Sequence, residues 1–334
     1  MTDQLNFQIR SRIGLVVLVW SVLIGLVLTG CGAEEPKVYR VGVLSGLSFV
    51  ADITDGFKTE MTKRGYIEDK NIIYDVQTTD FDMVVYQNII QKFVEDKVDL
   101  IFVFPTEASL EAKMATAGTG IPVVFDFTLI EGIDLVDSIR EPGGNITGVR
   151  YPGPDIALKR FEIMQELAPE AVRILVPYQR GYLNVPPQLE ALYPVAEAAG
   201  VTLIEAPADN EVELEKVLQM QTNLDAILFV AEPLTVNPDA FAVIGKYAAE
   251  HKIPVGGALL SVDGYDSVFG VNVNNISTGA QAARLADKIL RGTAAGTIPV
   301  VSAENYLQIN YRAAQELGLN VDEGLLSQAD EIIR

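Results

Sequence analysis

Residues 98–125 read VDLIFVFPTEASLEAKMATAGTGIPVVF. Leu100 to Phe104 is an unbroken apolar run rich in Ile, Val and Phe, Ala108 to Ala117 follows with a helical pattern closed by Gly118, and Val123 to Phe127 is a second apolar run. Strands that are apolar on both faces need cover on both faces, which is the situation in a parallel sheet crossed by helices. The same alternation extends towards the N-terminus. Val41 to Leu44 and Ile72 to Val76 read as strands, Asp55 to Arg64 as a helix closed by Gly65, and Val84 to Asp96 as a helix with Ile89, Ile90, Phe93 and Val94 at helical spacing. Elements alternating at this length predict an α/β fold with a doubly wound parallel sheet.

The pattern then starts again. Ile174 to Val176, Thr202 to Glu205, Ala226 to Val230 and Pro254 to Val255 supply strands, and Gln188 to Ala199, Glu211 to Gln221 and Pro238 to His251 supply helices. Val98-Asp99-Leu100-Ile101-Phe102-Val103 is answered by Leu224-Asp225-Ala226-Ile227-Leu228-Phe229, and Ile121-Pro122-Val123 by Ile253-Pro254-Val255. A repeat of this size is a second domain rather than a solenoid unit. Pro142-Gly143-Gly144 and Pro152-Gly153-Pro154 flank an extended Ile146 to Tyr151 where the first lobe ends. After extended Val271 and Val273, a helix from Thr278 to Leu290 stops at Gly292. Extended pieces at Pro299 to Val301 and Leu307 to Ile309 follow, then helices at Ala313 to Leu317 and Leu325 to Ile333. The chain is therefore expected to recross between lobes, with residues 38–150 plus 274–300 in the first and 151–273 plus 301–334 in the second. A hinge of several strands would let the two move without separating.

At the N-terminus, Arg10 and Arg12 precede an apolar run from Ile13 to Leu28, and Leu28-Thr29-Gly30-Cys31 follows with small residues before the single cysteine of the chain. Cations that stay in the cytoplasm, an apolar stretch shorter than the ~20 residues of a spanning helix and a small-residue cleavage site make a lipoprotein signal. Residues 1–30 are expected as signal peptide, Cys31 as the lipidated residue and 31–37 as a short tether. The rival reading is an uncleaved anchor. Both place the remainder outside the cytoplasm, held to a membrane.

The formal net charge of −20 repels nucleic acid and anionic headgroups, so a small-molecule partner is favoured. One cysteine and one histidine leave no Cys/His zinc cluster, no cysteine–histidine catalytic pair and no disulfide framework. His251 closes a helical pattern and reads as a surface residue at a helix C-terminus. No GxGxxG follows the first strand, and GxxxxGK[ST], HExxH and GxSxG are absent from the sequence. No metal, cofactor or catalytic residue is expected.

Tyr66 to Ile72, Phe93 to Leu100, Ile121 to Phe125, Glu141 to Val149 and Ala283 to Gly292 carry, in order and spacing, wording that resembles the substrate-binding lipoproteins of ABC importers. The subfamily resembled is the one typified by tryptophan- and tyrosine-binding members. The resemblance spans nearly all of residues 38–334 and implies a type I periplasmic binding protein-like fold, a small solute held between two lobes, and permease and ATPase subunits as partners. One stretch departs from it. Aromatic amino-acid binders of the family commonly carry a Ser-Asp-x-Asp-Ser-like run after the last main strand of the second lobe. Here the run is Gly256-Gly257-Ala258-Leu259-Leu260-Ser261, with Asp263 and Asp266 further on. A ligand ammonium would lack its expected carboxylate.

In doubly wound sheets ligands lie beyond the carboxyl ends of the strands. Ser45 and Ser48 are candidates for ligand hydrogen bonds or for capping the next helix, and Thr106 for either or both. Glu107 suits a first helical turn, and Thr128 ends a strand. Phe49 and Tyr178 offer aromatic faces, whereas Phe127 and Tyr182 read as packing; Gln179 lies beside Tyr178. Arg180 could pair with a ligand carboxylate or stand as a solvated surface residue. Glu232 occupies the place in the second repeat that Thr106 holds in the first and is the candidate for a ligand amine. The expected protein is a monomeric, lipid-anchored, extracytoplasmic receptor of an ABC importer with no catalytic turnover. A sensor lipoprotein for a signalling receptor and an extracytoplasmic enzyme are the alternatives.

Overall fold

The computed structural model describes residues 37–334, so the leader, the Leu28-Thr29-Gly30-Cys31 run and most of the tether lie outside the described residues. Strands β1 (Tyr39–Ser45), β2 (Ile72–Thr78), β3 (Leu100–Phe104), β4 (Val123–Thr128) and β5 (Ile146–Arg150) alternate with α1 (Ile53–Lys63), α2 (Met83–Glu95) and α3 (Thr106–Thr116). The second series comprises α4 (Gly153–Leu167), β6 (Arg173–Gln179), α5 (Val185–Ala198), β7 (Thr202–Ala208), α6 (Glu211–Gln219), β8 (Ala226–Leu228), α7 (Pro238–His251) and β9 (Val255–Gly257). A small hairpin of β10 (Ser261–Val262) and β11 (Tyr265–Asp266) leads into β12 (Phe269–Val273) and α8 (Asn275–Leu290). The chain closes with β13 (Val301–Ser302), β14 (Asn305–Asn310), α9 (Tyr311–Glu316), α10 (Glu323–Gln328) and β15 (Glu331–Ile333).

Two sheets result. The first has the order β13-β5-β4-β3-β1-β2 and is parallel throughout. The second has the order β15-β14-β12-β9-β8-β6-β7, parallel except where β14 runs against β12. The repeated wording has a repeated structural role. Asp99, just before β3, accepts the Arg40 N–H of β1 at 2.8 Å, and Asp225, just before β8, accepts the Arg173 N–H of β6 at 2.8 Å. In both sheets the Asp side chain serves the backbone of the strand next door and fixes the register of the central pair.

The chain crosses between the sheets after β5, after β12 and after β13. Val301 and Ser302 pair with Val149 and Arg150, so these two residues lie on the first sheet, although the sequence expectation starts the second lobe's last segment at 301. Helix α8 returns to cover the first sheet and lies backbone to backbone on α1. A Cβ on Gly279 would come within 2.0 Å of the Ile53 carbonyl oxygen and one on Gly56 within 2.2 Å of that of Ile276, so only glycine permits this approach.

Two further differences have local causes. Pro152-Gly153-Pro154 reads as a break, yet Gly153 and Pro154 open α4, because a proline in the first turn gives up an N–H that has no helical partner anyway. The helix expected from Leu325 to Ile333 stops at Gln328, and Glu331 to Ile333 instead pair in parallel with Gln308 to Asn310 of β14. An open sheet edge supplies that tail with backbone partners. No helix among the described residues is long and apolar enough to cross a membrane, and no group of three or more His, Cys, Asp or Glu among them could hold a metal ion.

Candidate ligand-binding cleft

Strand order reverses direction between β1 and β3 in the first sheet and between β6 and β8 in the second, and the loops leaving these strands part there. A cleft opens among them. The first sheet contributes Leu47 and Phe49 after β1, Pro105 after β3, and Phe127 and Leu129 at the end of β4. The second contributes Tyr182 and Asn184 after β6, Val230 to Pro233 after β8, and Ala258 after β9. Tyr151 comes from the crossing after β5, Asn272 from β12 and Arg160 from α4.

One wall is aromatic. The Phe49 and Phe127 rings meet edge-on at 6.4 Å between centroids, and Phe127 lies 5.0 Å from Tyr151. Phe127 and Phe81, both in the lining, hold φ angles of 45° and 47°, a left-handed conformation uncommon for bulky residues. Asp126 holds the first of them by accepting the Phe127 N–H at 2.6 Å. Asp126 itself is fully buried with its Oδ2 unpartnered, and burial pushes its carboxyl well above the usual carboxylate range, against the hydrogen bond from the Phe127 N–H. Strained backbone of this kind persists where surrounding packing over-determines it, most often in binding sites.

The polar side of the cleft centres on Arg160, which is 2% exposed. Its Nε donates to the Val271 carbonyl at 2.9 Å, Nη1 to the Phe229 carbonyl at 3.1 Å, and Nη2 to the Tyr151 hydroxyl at 3.4 Å. Burial lowers its pKa, but a guanidinium starts far above neutrality and stays charged. Sequence reasoning missed this residue because it missed α4. An arginine amid the apolar Ile156, Ala157, Phe161 and Ile163 was the available signal. Asn184, also missed, reaches across the cleft to Thr106 Oγ1 at 3.5 Å and keeps a buried, unpartnered Oδ1.

The residues expected at the site divide sharply. Phe49 and Glu232 line the cleft. Ser45 is buried with an unpartnered hydroxyl, and exposed Ser48 gives its backbone N–H to Asp80 at 2.6 Å; neither caps α1, whose first turn takes no side-chain cap. Thr106 opens α3 without capping it, and its hydroxyl accepts the Leu129 N–H at 3.1 Å, tying the β3 and β4 loops together. Thr128 is buried, bonded to the Asp126 carbonyl at 2.6 Å and to Ser109 at 2.8 Å. Glu107, in the first turn of α3, keeps a buried, unpartnered Oε2, and burial pushes its pKa up, opposed by its own backbone N–H and by the nearby Tyr182 phenol of the other lobe.

Tyr178 and Arg180 point elsewhere. The Tyr178 hydroxyl donates to Glu205 at 2.5 Å, in a surface hollow shared with Tyr193. Arg180 Nε donates to Asp209, just after β7, at 3.0 Å and its Nη2 to Glu213 of α6, so two protein carboxylates already occupy the guanidinium expected to take a ligand's. Glu232 faces the cleft but is engaged. Oε2 accepts the N–H groups of Gln179 and Leu234, both at 2.8 Å, and Oε1 accepts the Thr235 N–H at 2.7 Å and the Thr235 hydroxyl. Its burial pushes its pKa up, opposed by these donors.

A family profile described as ABC transporter substrate binding protein matches residues 41–333. The chain is 28% identical over 319 residues to the tyrosine-binding protein of Clostridioides difficile strain R20291, covering 89% of each chain. Its fold is similar to that of a conserved domain protein from Vibrio cholerae (TM-score 0.76, 25% identity, 89% of this chain and 100% of that one). It is also similar to a Streptococcus pneumoniae ABC domain in complex with L-Trp (TM-score 0.77, 23% identity, 89% and 100%). A ligand-free, open substrate-binding protein with adhesive properties from Clostridium difficile aligns with a TM-score of 0.71 at 24% identity, covering 89% and 99%.

Proposed function

This chain belongs to the ABC transporter substrate-binding proteins, and from that premise we propose that it is a lipid-anchored, extracytoplasmic receptor that closes two lobes on a small aromatic solute and hands it to an importer. The observation that carries this reading is the cleft formed where the strand order of both sheets reverses, between lobes joined by three crossings. Closure strips water from the polar contacts and gives the membrane subunits different shapes to read in the empty and loaded states. Cys31 would carry the lipid and residues 32–37 the tether. ATP hydrolysis belongs to a partner subunit, and the receptor itself works as a monomer without turnover. The aromatic wall of Phe49, Phe127 and Tyr151 supports a flat solute, as do the tyrosine-binding relative and the neighbour holding L-Trp.

The test is to release small molecules from the purified, denatured protein and identify them by mass spectrometry, then to measure scattering of the chain starting at Glu34 with and without the solute found. A smaller radius of gyration with solute is expected; identical profiles at saturating solute would count against lobe closure.

A further inference from the structure

Of the two charged side chains that line the cleft, the negative one is already satisfied and the positive one is not. Glu232 is the one carboxylate among the lining residues. A carboxylate offers about four acceptor positions, and here four donors fill them: the N–H groups of Gln179, Leu234 and Thr235 and the Thr235 hydroxyl. It holds the β6 and β8 loops together and has nothing left for an ammonium. Arg160 is the opposite case. It is 2% exposed, yet its three partners are two backbone carbonyls and a phenol, and no acidic side chain lies within ion-pair distance of it. A guanidinium has five N–H donors, so one on each Nη nitrogen remains, matching the two oxygens of a carboxylate. Glu232 acts on this cation only at longer range, without a direct ion pair; a buried cation so placed is costly, and an incoming anion in contact with it would lower that cost.

We infer that the solute of this receptor is an aromatic carboxylate without a free amine, its carboxylate paired with Arg160 and its ring lying against the wall of Phe49 and Phe127. The inference rests on the solute-receptor reading and narrows it. Asn184 Oδ1 supplies a neutral acceptor that suits a ring hydroxyl or ring N–H, but it cannot balance an ammonium. The Gly256 to Ser261 loop adds no acid to the lining either, contributing only Ala258.

Calorimetry on the full chain in detergent tests this with matched probes: 3-(4-hydroxyphenyl)propanoate and indole-3-propanoate, their primary amides, and free tyrosine and tryptophan. Each acid should bind at least about tenfold more tightly than its amide and than the parent amino acid, since the charge-assisted pair is lost in one comparison and an uncompensated ammonium is added in the other. Arg160→Gln should weaken the acids by at least about tenfold and move the amides by less than about threefold, a split that a merely structural role would not give. If that variant does not fold, the wild-type series decides alone. Tyrosine or tryptophan binding as tightly as the deaminated acid, or amide and acid binding equally, would overturn the inference and leave the receptor reading standing. If no probe binds, the co-purified solute decides: an aromatic acid lacking an amine upholds the inference, and an amino acid or cation overturns it. Failure to find any bound solute, with lobes that never close, would instead remove the receptor reading on which the inference rests.

Discussion

The Gln179 backbone N–H donates to Glu232 Oε2 at 2.8 Å, joining the loop after β6 to the loop after β8. An acid that sequence places opposite a ligand amine is thereby a brace across the strand-order reversal of the second sheet.

Glu232→Gln should therefore act on stability. An amide has fewer acceptor positions than a carboxylate and brings donors of its own, so buried N–H groups lose partners at a cost of about 1–3 kcal/mol. Urea denaturation should show this loss without ligand. Unchanged stability, together with a specific loss of amino-acid affinity, would restore the ligand role.

Asp126 sets a pH dependence. Burial raises its folded-state pKa well above the ordinary value. The native state then keeps a proton that the unfolded chain has released, so stability is fullest below the unfolded pKa and declines as pH rises through the folded value. Asp126→Asn keeps the acceptor for the Phe127 N–H and removes the charge. Its denaturation midpoint should exceed that of the wild type at about pH 8 and vary less towards acid pH. A variant that tracks the wild type across this range would show that Asp126 is ionised at no cost.

Arg150 stands at the first crossing and pairs with Glu131 of the first lobe and, at 3.2 Å, with Asp155 of the second. Partly exposed pairs of this kind are worth up to about 1 kcal/mol, so Arg150→Ala should weaken solute binding by roughly fivefold or less by favouring the open state. Scattering without solute should show a larger radius of gyration. Unaltered scattering and affinity would remove Arg150 from the closing equilibrium.

Arg180→Ala should leave solute affinity within about twofold of wild type, since its guanidinium is taken by Asp209 and Glu213 in solvent. Titration with the solute identified by mass spectrometry checks it, and a loss of tenfold or more would return Arg180 to the site.

Cys31→Ser should abolish acylation and leave the fold intact, because the chain's single cysteine supports no disulfide. Equal incorporation of labelled palmitate by wild type and variant would reject lipidation at this residue.

The sequence alone determined the two sheets and their succession. Buried parallel strands and amphipathic helices write their burial into local patterns, and recurring Val98-Asp99 and Leu224-Asp225 marked equivalent strands in two halves. It also pointed to the loops after β1, β3, β4, β6, β8 and β9 as the candidates for ligand contact, because strand direction fixes which ends face the cleft. Which side chains meet there was decided by tertiary structure. Arg160 enters from a helix whose opening reads as a break, and Asn184 comes within reach of Thr106 only because the second lobe lies opposite the first. Arg180 and Tyr178 are engaged away from the cleft lining by Asp209, Glu213 and Glu205, which lie 27 to 33 residues away in sequence. A polar side chain goes to whichever partner satisfies it in three dimensions, and that competition is not written in the spacing of its own segment.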